Sequence, residues 1–295
     1  MRITVIGESN IDIAVRAHGE PRQGGCSPAD IRFCHGGVAR NIAHNLKLLG
    51  HEVRLVSVFG DDHFAEQMMA ECSDLGIDLS LSTQYENSRS PIFLSFNDEV
   101  GQMQSAFSDI ELNRCLDLDW IMDKIDAINR SDLVVADTLL SVDALAFLIN
   151  HCLVPLYIDT VSPNRALLLN EAMQNSWKKS FQALKCNLAE AQAMTDAPEA
   201  EEAAKRLVSK GIKEVYLTLG ADGVCYCNKN EVRFFPAIEA ETVSAMGSGD
   251  AFLAGVVHSN AAGRRGKEAV LFGIAMAKAN CETEGTVAET MPELA

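Results

Sequence analysis

Four consecutive residues, Gly247-Ser248-Gly249-Asp250, stand directly before the apolar run AFLAG. They join flexible backbone to one acid at the mouth of a helix. A helix start presents unpaired N–H groups and a partial positive charge. Glycine lets that backbone approach a phosphate closely, so an anion can be held without lysines. Asp250 falls in the first turn, where the ionised carboxylate is favoured. From there it can accept a proton from a hydroxyl that attacks a phosphoryl group. The same four residues also suit an ordinary N-capped loop, because Ser and Asp favour such positions.

Four further stretches offer compatible chemistry. In HGGVARNIAHNLKLLG (35–50), Gly36-Gly37 again precede a helix, and Asn41 falls one turn inside it. Its amide can bond sugar hydroxyls while the glycines permit close approach; a plain glycine-rich turn fits as well. In GESNID (7–12), Asn10 and Asp12 point the same way if the chain is extended, an arrangement suited to a polyol. The stretch is not G-x-G-x-x-G, which disfavours a dinucleotide site. In CNLAEAQAM (186–194), Asn187-x-x-Glu190 reads as a capping box, as a carboxylate beside a hydrated magnesium ion, or as both. TLGADG (218–223) ends a strand in a glycine-rich turn, where α/β sheets meet ligands. The seven histidines show no metal-ligand spacing, and His35, which could reach a ligand, fits a satisfied or surface role better.

These residues need a scaffold, and the 295-residue chain can bury a substantial core. Strand-like and helix-like runs alternate: ITVIG (3–7), helix 39–50, VRLVSVFG (53–60), helix 64–76, LVVAD (133–137), LYIDT (156–160), VYLTLG (215–220) and helix 250–263. That alternation predicts an α/β fold with a largely parallel sheet. Two regions break it. Residues 11–35 hold two extended runs with no helix between them, and 90–107 reads as two strands around a turn at Asn97-Asp98-Glu99-Val100-Gly101. Four such strands predict a small separate sheet serving as a lid.

Composition narrows the function further. A net charge of −16 argues against a nucleic-acid partner, which needs a positive face. No apolar run approaches the ~20 residues of a membrane span, and the N-terminus lacks a signal-peptide pattern. The reading is therefore a cytoplasmic protein. Nine cysteines without C-x-x-C spacing are expected to be reduced.

Taken in order, N-x-D, G-G…N, N-x-x-E, T-L-G-x-x-G and G-x-G-D resemble the ribokinase-like (PfkB) carbohydrate and nucleoside kinases, from Ile3 to about Met291. Within that family GGVARNIAHNL is most similar to the pseudouridine kinases, as are SNIDIAV (9–15), FSDIEL (107–112), DTVSPNRA (159–166) and ETEGTV (282–287). Sugar-only relatives often carry lysine where this chain has Val38.

The resemblance implies one kinase domain over 1–295, a three-layer α/β fold with a mostly parallel central sheet and a β lid from about 11–35 and 90–110. It implies transfer of the ATP γ-phosphate to the 5′-hydroxyl of pseudouridine, with magnesium. Asp250 would be the base, with Gly247, Ser248 and Gly249 lending backbone amides. Asn10, Asp12, Gly36, Gly37 and Asn41 would bind the ribose, and Asp109 would touch the substrate. Asn187 and Glu190 would manage phosphates and magnesium, Glu190 through water. Thr218, Gly220 and Gly223 would line the ATP side. A homodimer through the lid would also follow. Ser244-Ala245-Met246 departs from the family loop, which usually reads T-G-A-G-D, with Met246 in place of the Thr. The departure leaves open a potassium site, and Ser248 is a candidate to supply the missing hydroxyl. Another nucleoside or sugar kinase, or a non-catalytic binding protein on this fold, remain the alternatives.

Overall fold

The computed structural model describes residues 1–20, 24–98, 103–178 and 180–292. In chain order the strands are β1 (Arg2–Ile6), β2 (Asn10–Ala17), β3 (Ala29–Gly36), β4 (Glu52–Val56), β5 (Val58–Phe59), β6 (Thr83–Gln84), β7 (Ile92–Asn97), β8 (Met103–Asp109), β9 (Leu133–Asp137), β10 (Leu156–Asp159), β11 (Ala183–Asn187), β12 (Glu214–Thr218), β13 (Val224–Asn228) and β14 (Val232–Phe235). The helices are α1 (Val38–Leu48), α2 (His63–Asp74), α3 (Leu118–Met122), α4 (Ile125–Ile128), α5 (Val142–His151), α6 (Pro163–Asn175), α7 (Leu188–Thr195), α8 (Ala200–Ser209), α9 (Ser248–Ala261) and α10 (Lys267–Cys281).

Eight strands form the main sheet in the order β14-β13-β12-β11-β10-β9-β1-β4. It is parallel from β12 to β4, with β13 and β14 added antiparallel at one edge. The uninterrupted apolar strands follow from burial on both faces. In LVVAD, Val134 and Ala136 pack with α5 to α8, whereas Leu133 and Val135 pack with α1, α2, α9 and α10. Two cores thus sandwich one sheet, giving the three-layer α/β fold.

VRLVSVFG is not one strand. The chain leaves the main sheet after Val56, and β5 pairs instead with β6 in a separate two-stranded sheet. Ser82 causes the break: its hydroxyl donates to the Leu55 carbonyl and accepts from the Ser57 N–H.

The lid is a four-stranded sheet, β3-β2-β7-β8, in which β2 and β7 run parallel and the other pairs antiparallel. Of the turn expected at 97–101, Glu99, Val100 and Gly101 lie outside the described residues. The period of two divides its faces. Asn10, Asp12, Phe93 and Ser108 share one face; Ile13, Ile31, Phe33, Leu94, Phe96 and Phe107 share the other. On that second face Phe33 and Phe107 are 60% and 64% exposed.

Candidate active site

The first turn of α9 lies between two cavities. Gly247 and Asp250 line one of about 780 Å³, and Ser248 and Gly249 line another of about 630 Å³. Four consecutive residues therefore face both spaces, which only a tight helix start allows. Gly247 caps α9 in the left-handed region at φ 75, and a Cβ there would stand 2.0 Å from the Thr286 carbonyl oxygen. No other residue type fits that position.

The larger cavity collects residues from distant elements. At one end stand Asn10 and Asp12 from β2, Gly37 and Asn41 from the start of α1, and Met246 before α9. Asn10 Nδ2 donates to Asp12 Oδ1 at 3.0 Å, as their shared strand face predicts. Gly36 packs behind them, with Asp12 Oδ2 occupying the place a Cβ would take. Gly37 caps α1 at φ 93, pressed against the Glu8 carbonyl. Asn41 Nδ2 donates to Asp250 Oδ2 at 2.9 Å. The amide expected to meet sugar hydroxyls thus also holds the candidate base.

Beyond this polar end the cavity continues past Glu8, Phe93, Leu139 and Val161 to Ser162, Asn164 and Arg165. Val161 holds φ 60, a strained conformation for a β-branched residue, and its N–H is fixed by Asp159 Oδ1 at 2.9 Å.

Thr218, Gly220, Gly223, Ser248 and Gly249 line the smaller cavity, whose remaining wall includes the apolar side chains of Phe252, Ile274 and Ala277. The Ser248 hydroxyl turns back to donate to the Ala245 carbonyl at 2.9 Å.

Three predicted residues lie elsewhere. Asp109 lines an adjoining cavity of about 500 Å³, which meets the larger one at Ser108, Ile110, Leu139 and Arg165. The reason is register. Ser108 pairs with Phe93 on the Asp12 face, and Asp109, one residue on, pairs with Ile92 on the other. Asn187 and Glu190 line neither of the cavities that meet at α9. They form the full capping box of α7, and Glu190 also accepts from Thr160 Oγ1 at 2.5 Å.

Two buried charged residues near the cavities were not singled out from the sequence, Lys185 behind α9 and Glu8 within GESNID. Lys185 is buried mid-strand in β11, 3.1 Å from the buried Asp159. Its ammonium lies beneath α9, 2.6 Å from where a Cβ on Gly249 would stand. Burial opposes its charge, but Asp159, Glu190 and Asp250 outweigh that and raise its pKa. Glu8 is buried and accepts from Asn113 Nδ2 at 2.6 Å. A charged residue inside an otherwise apolar strand such as ALKCN was the available signal, because such residues are rarely buried unpaired.

The electrostatics run against the ionised Asp250 that a helix start alone predicts, because burial outweighs the field of the first turn. Burial, reinforced by Asp159, raises Asp250 to about 8, against the opposing pull of Lys185 and the Asn41 hydrogen bond. Burial, then Asp137, raises Glu8 to about 8, and burial raises Asp12 to about 6. Among the described residues no group of three or more His, Cys, Asp or Glu could hold a metal ion, and no helix is long and apolar enough to cross a membrane.

Comparison with known proteins agrees with this geometry. The pattern of the pfkB family carbohydrate kinases matches residues 1–294. A pseudouridine kinase of Escherichia coli is 28% identical over 263 residues, covering 86% of this chain and 82% of that protein. A guanosine-inosine kinase of Exiguobacterium acetylicum is 25% identical over 291 residues, 94% of this chain and 93% of that one. The ribokinase of Arabidopsis thaliana, solved with ribose and ATP, superposes with a TM-score of 0.82 at 20% identity, covering 99% and 96% of the two chains.

Proposed function

Because the chain belongs to the pfkB family of carbohydrate kinases, and so is a sugar or nucleoside kinase with an alcohol acceptor, we propose that it phosphorylates the 5′-hydroxyl of pseudouridine with ATP. The observation that carries this reading is the meeting of two cavities at residues 247–250. One cavity suits an acceptor, the other a nucleotide. The acceptor cavity exceeds what a pentose fills, and its far end at Asn164 and Arg165 offers hydrogen-bond donors to a base. The similarity to a pseudouridine kinase supports the same choice.

The chain's own residues divide the work. Asn10, Asp12 and Asn41 bind and orient the ribose hydroxyls, which places the 5′-oxygen beside Asp250. Asp250 accepts the hydroxyl proton as the new O–P bond forms and the bond to the departing ADP breaks. The amides at 247–249 and the Lys185 ammonium stabilise the charge that builds on the phosphoryl oxygens. The lid face bearing Asn10 and Asp12 closes over the ribose and excludes water.

The smaller cavity fits a nucleotide: an apolar wall for a base, and a helix start whose Gly249 leaves room beside Lys185. Bound ATP supplies the phosphoryl group, and magnesium with it would neutralise phosphate charge. Both Glu190 oxygens already accept hydrogen bonds, so it suits a water-mediated role toward magnesium and not direct ligation. The Met246 carbonyl accepts from Asn280 Nδ2 at 2.6 Å, so it is already engaged beside the loop where potassium would bind. We take 1–295 as one cytoplasmic kinase domain and assign the exposed apolar lid face to pairing with a second copy.

A coupled ADP-release assay tests this reading, using ATP and magnesium with pseudouridine, uridine, guanosine, adenosine or ribose, with and without potassium. Turnover highest with pseudouridine supports it. Preference for another acceptor reassigns the substrate within the family. Nucleoside binding with no turnover on any acceptor points to the non-catalytic reading.

A further inference from the structure

We propose that Arg40 is a positioning residue for Asp250, acting through Asn41. The inference rests on Asp250 being the base assigned above. Arg40 follows the Gly36-Gly37 turn in α1 and is 2% exposed, among the most deeply buried large side chains of the protein. Its guanidinium lies behind the acceptor cavity and does not line it.

Nη1 donates to the His35 carbonyl at 3.0 Å and to Asn41 Oδ1 at 3.1 Å. Nη2 donates to Glu71 Oε2 at 2.6 Å and meets His44 Nδ1 at 3.2 Å. Burial, helped by Arg40 itself, lowers His44 to about 4, so its ring nitrogen is free to accept. Arg40 Nε is buried without a nitrogen or oxygen partner, and Cys72 lies against the guanidinium.

The consequence lies in the polarity of one amide. An asparagine can present either its oxygen or its nitrogen to a neighbour, and guanidinium groups can only donate. With Arg40 facing it, the Asn41 oxygen must turn toward Arg40, and the Asn41 nitrogen must turn toward Asp250. The 2.9 Å bond from Asn41 Nδ2 to Asp250 Oδ2 is that orientation. A flipped amide would set oxygen against carboxylate and NH₂ against guanidinium, losing both bonds.

A second connection runs through the backbone. The His35 carbonyl that Arg40 holds also accepts from Thr286 Oγ1 at 2.8 Å. The Thr286 carbonyl in turn packs against Gly247, the cap of α9. Arg40 therefore grips both the amide that orients Asp250 and the segment that braces its helix.

The charged and titratable groups around the two ends share one member, Asp12, which Arg40 lowers and which raises Asp250. Asp12, Asp159 and Lys185 face Asp250. Glu71, His35, His44 and Cys72 surround Arg40. A change at Arg40 reaches Asp250 through the Asn41 amide, through the Thr286 segment that braces α9, and through the charge of Asp12.

The test uses full-length Arg40→Gln and Arg40→Lys enzymes with pseudouridine and ATP–magnesium. It reads kcat, both KM values, the acidic limb of the pH–kcat profile, and the melting temperature. In Arg40→Gln, kcat should fall at least tenfold, with KM for ATP within about twofold of wild type. Its acidic limb should move to higher pH, because the ionised Asp250 has lost an oriented donor and Asp12 has lost a nearby positive charge. Arg40→Lys, which keeps a donor and a charge, should recover part of both. An Arg40→Gln enzyme with wild-type kcat and limb contradicts the proposal. So does a lower kcat with an unmoved limb and no recovery in Arg40→Lys, which marks a merely structural role. If Arg40→Gln does not fold, Glu71→Gln loosens the same guanidinium from a half-exposed position. A smaller limb shift in the same direction then supports the proposal, and an unmoved limb overturns it. Asp250→Asn serves as the control. If it keeps full turnover, the base assignment fails and this inference with it. If it is inactive while Arg40→Gln is unaffected, only this inference fails.

Discussion

Asn41 and Asp250, 209 positions apart, share a 2.9 Å hydrogen bond at the floor of the acceptor cavity. The bond joins the start of α1 to the start of α9, the two glycine-capped helices of the site. A residue that touches both acceptor and base should affect binding and chemistry together. Asn41→Ala is expected to raise KM for the nucleoside and lower kcat by about 10- to 100-fold, with KM for ATP little changed. Steady-state kinetics varying each substrate in turn checks this. A change in nucleoside KM alone would separate Asn41 from the base.

The pH dependence has a definite sign. Asp250 must be ionised to accept a proton, and its burial near Asp159 raises it to about 8. The acidic limb of the kcat/KM profile should therefore climb through neutral pH and level off above about 8. Glu8, also near 8, and Asp12, near 6, share the cavity, so the limb is a property of the group of carboxylates together. A profile already flat from pH 6 upward would contradict the burial of an ionising base.

Stability should show the reverse cost. A carboxyl raised from its ordinary 3.8 to about 8 favours the folded state fully only below 3.8. That contribution is lost as pH rises through about 8. Asp250→Asn cannot ionise and escapes the loss. Its melting temperature should gain on wild type steadily between pH 5 and 8, read by calorimetry in matched buffers. A constant difference across that range would place Asp250 in a solvated setting.

Lys185 and Asp159 form a buried pair, and removing one partner strands the other. Lys185→Met should destabilise the fold by about 3–5 kcal/mol. Lys185→Met with Asp159→Asn should recover most of that stability. Turnover should stay depressed by about 10²–10³ in the double variant, because the cation under the phosphate-facing turn is still missing. Denaturant melts and kcat measured on the same preparations test both halves. Recovery of turnover along with stability would make Lys185 structural.

Much of this site could be read from local sequence, because its helix starts carry their own chemistry. Glycines with an acid before an apolar run pointed to Asp250, and alternate positions on a strand pointed to Asn10 and Asp12, and all three line the larger cavity. The alternating α/β pattern likewise gave the central sheet, since a doubly covered strand reads as unbroken apolar residues. What local sequence could not show was tertiary pairing. Lys185 and Asp159 meet only because β10 and β11 are neighbours in the sheet. Glu8 is held by a hydrogen bond from Asn113, 105 residues away. Asp109 stands one position beyond Ser108, and in a strand one position is the opposite face. Ser57 looked like strand because the hydroxyl that diverts the chain there belongs to Ser82.

The most direct measurement compares wild type with Asp250→Asn for pseudouridine binding by calorimetry and for phosphoryl transfer from ATP. Asp250→Asn should bind the nucleoside within a few-fold of wild type while kcat falls by about 10²–10⁴. Retained turnover in that variant would contradict the assignment of proton transfer to Asp250.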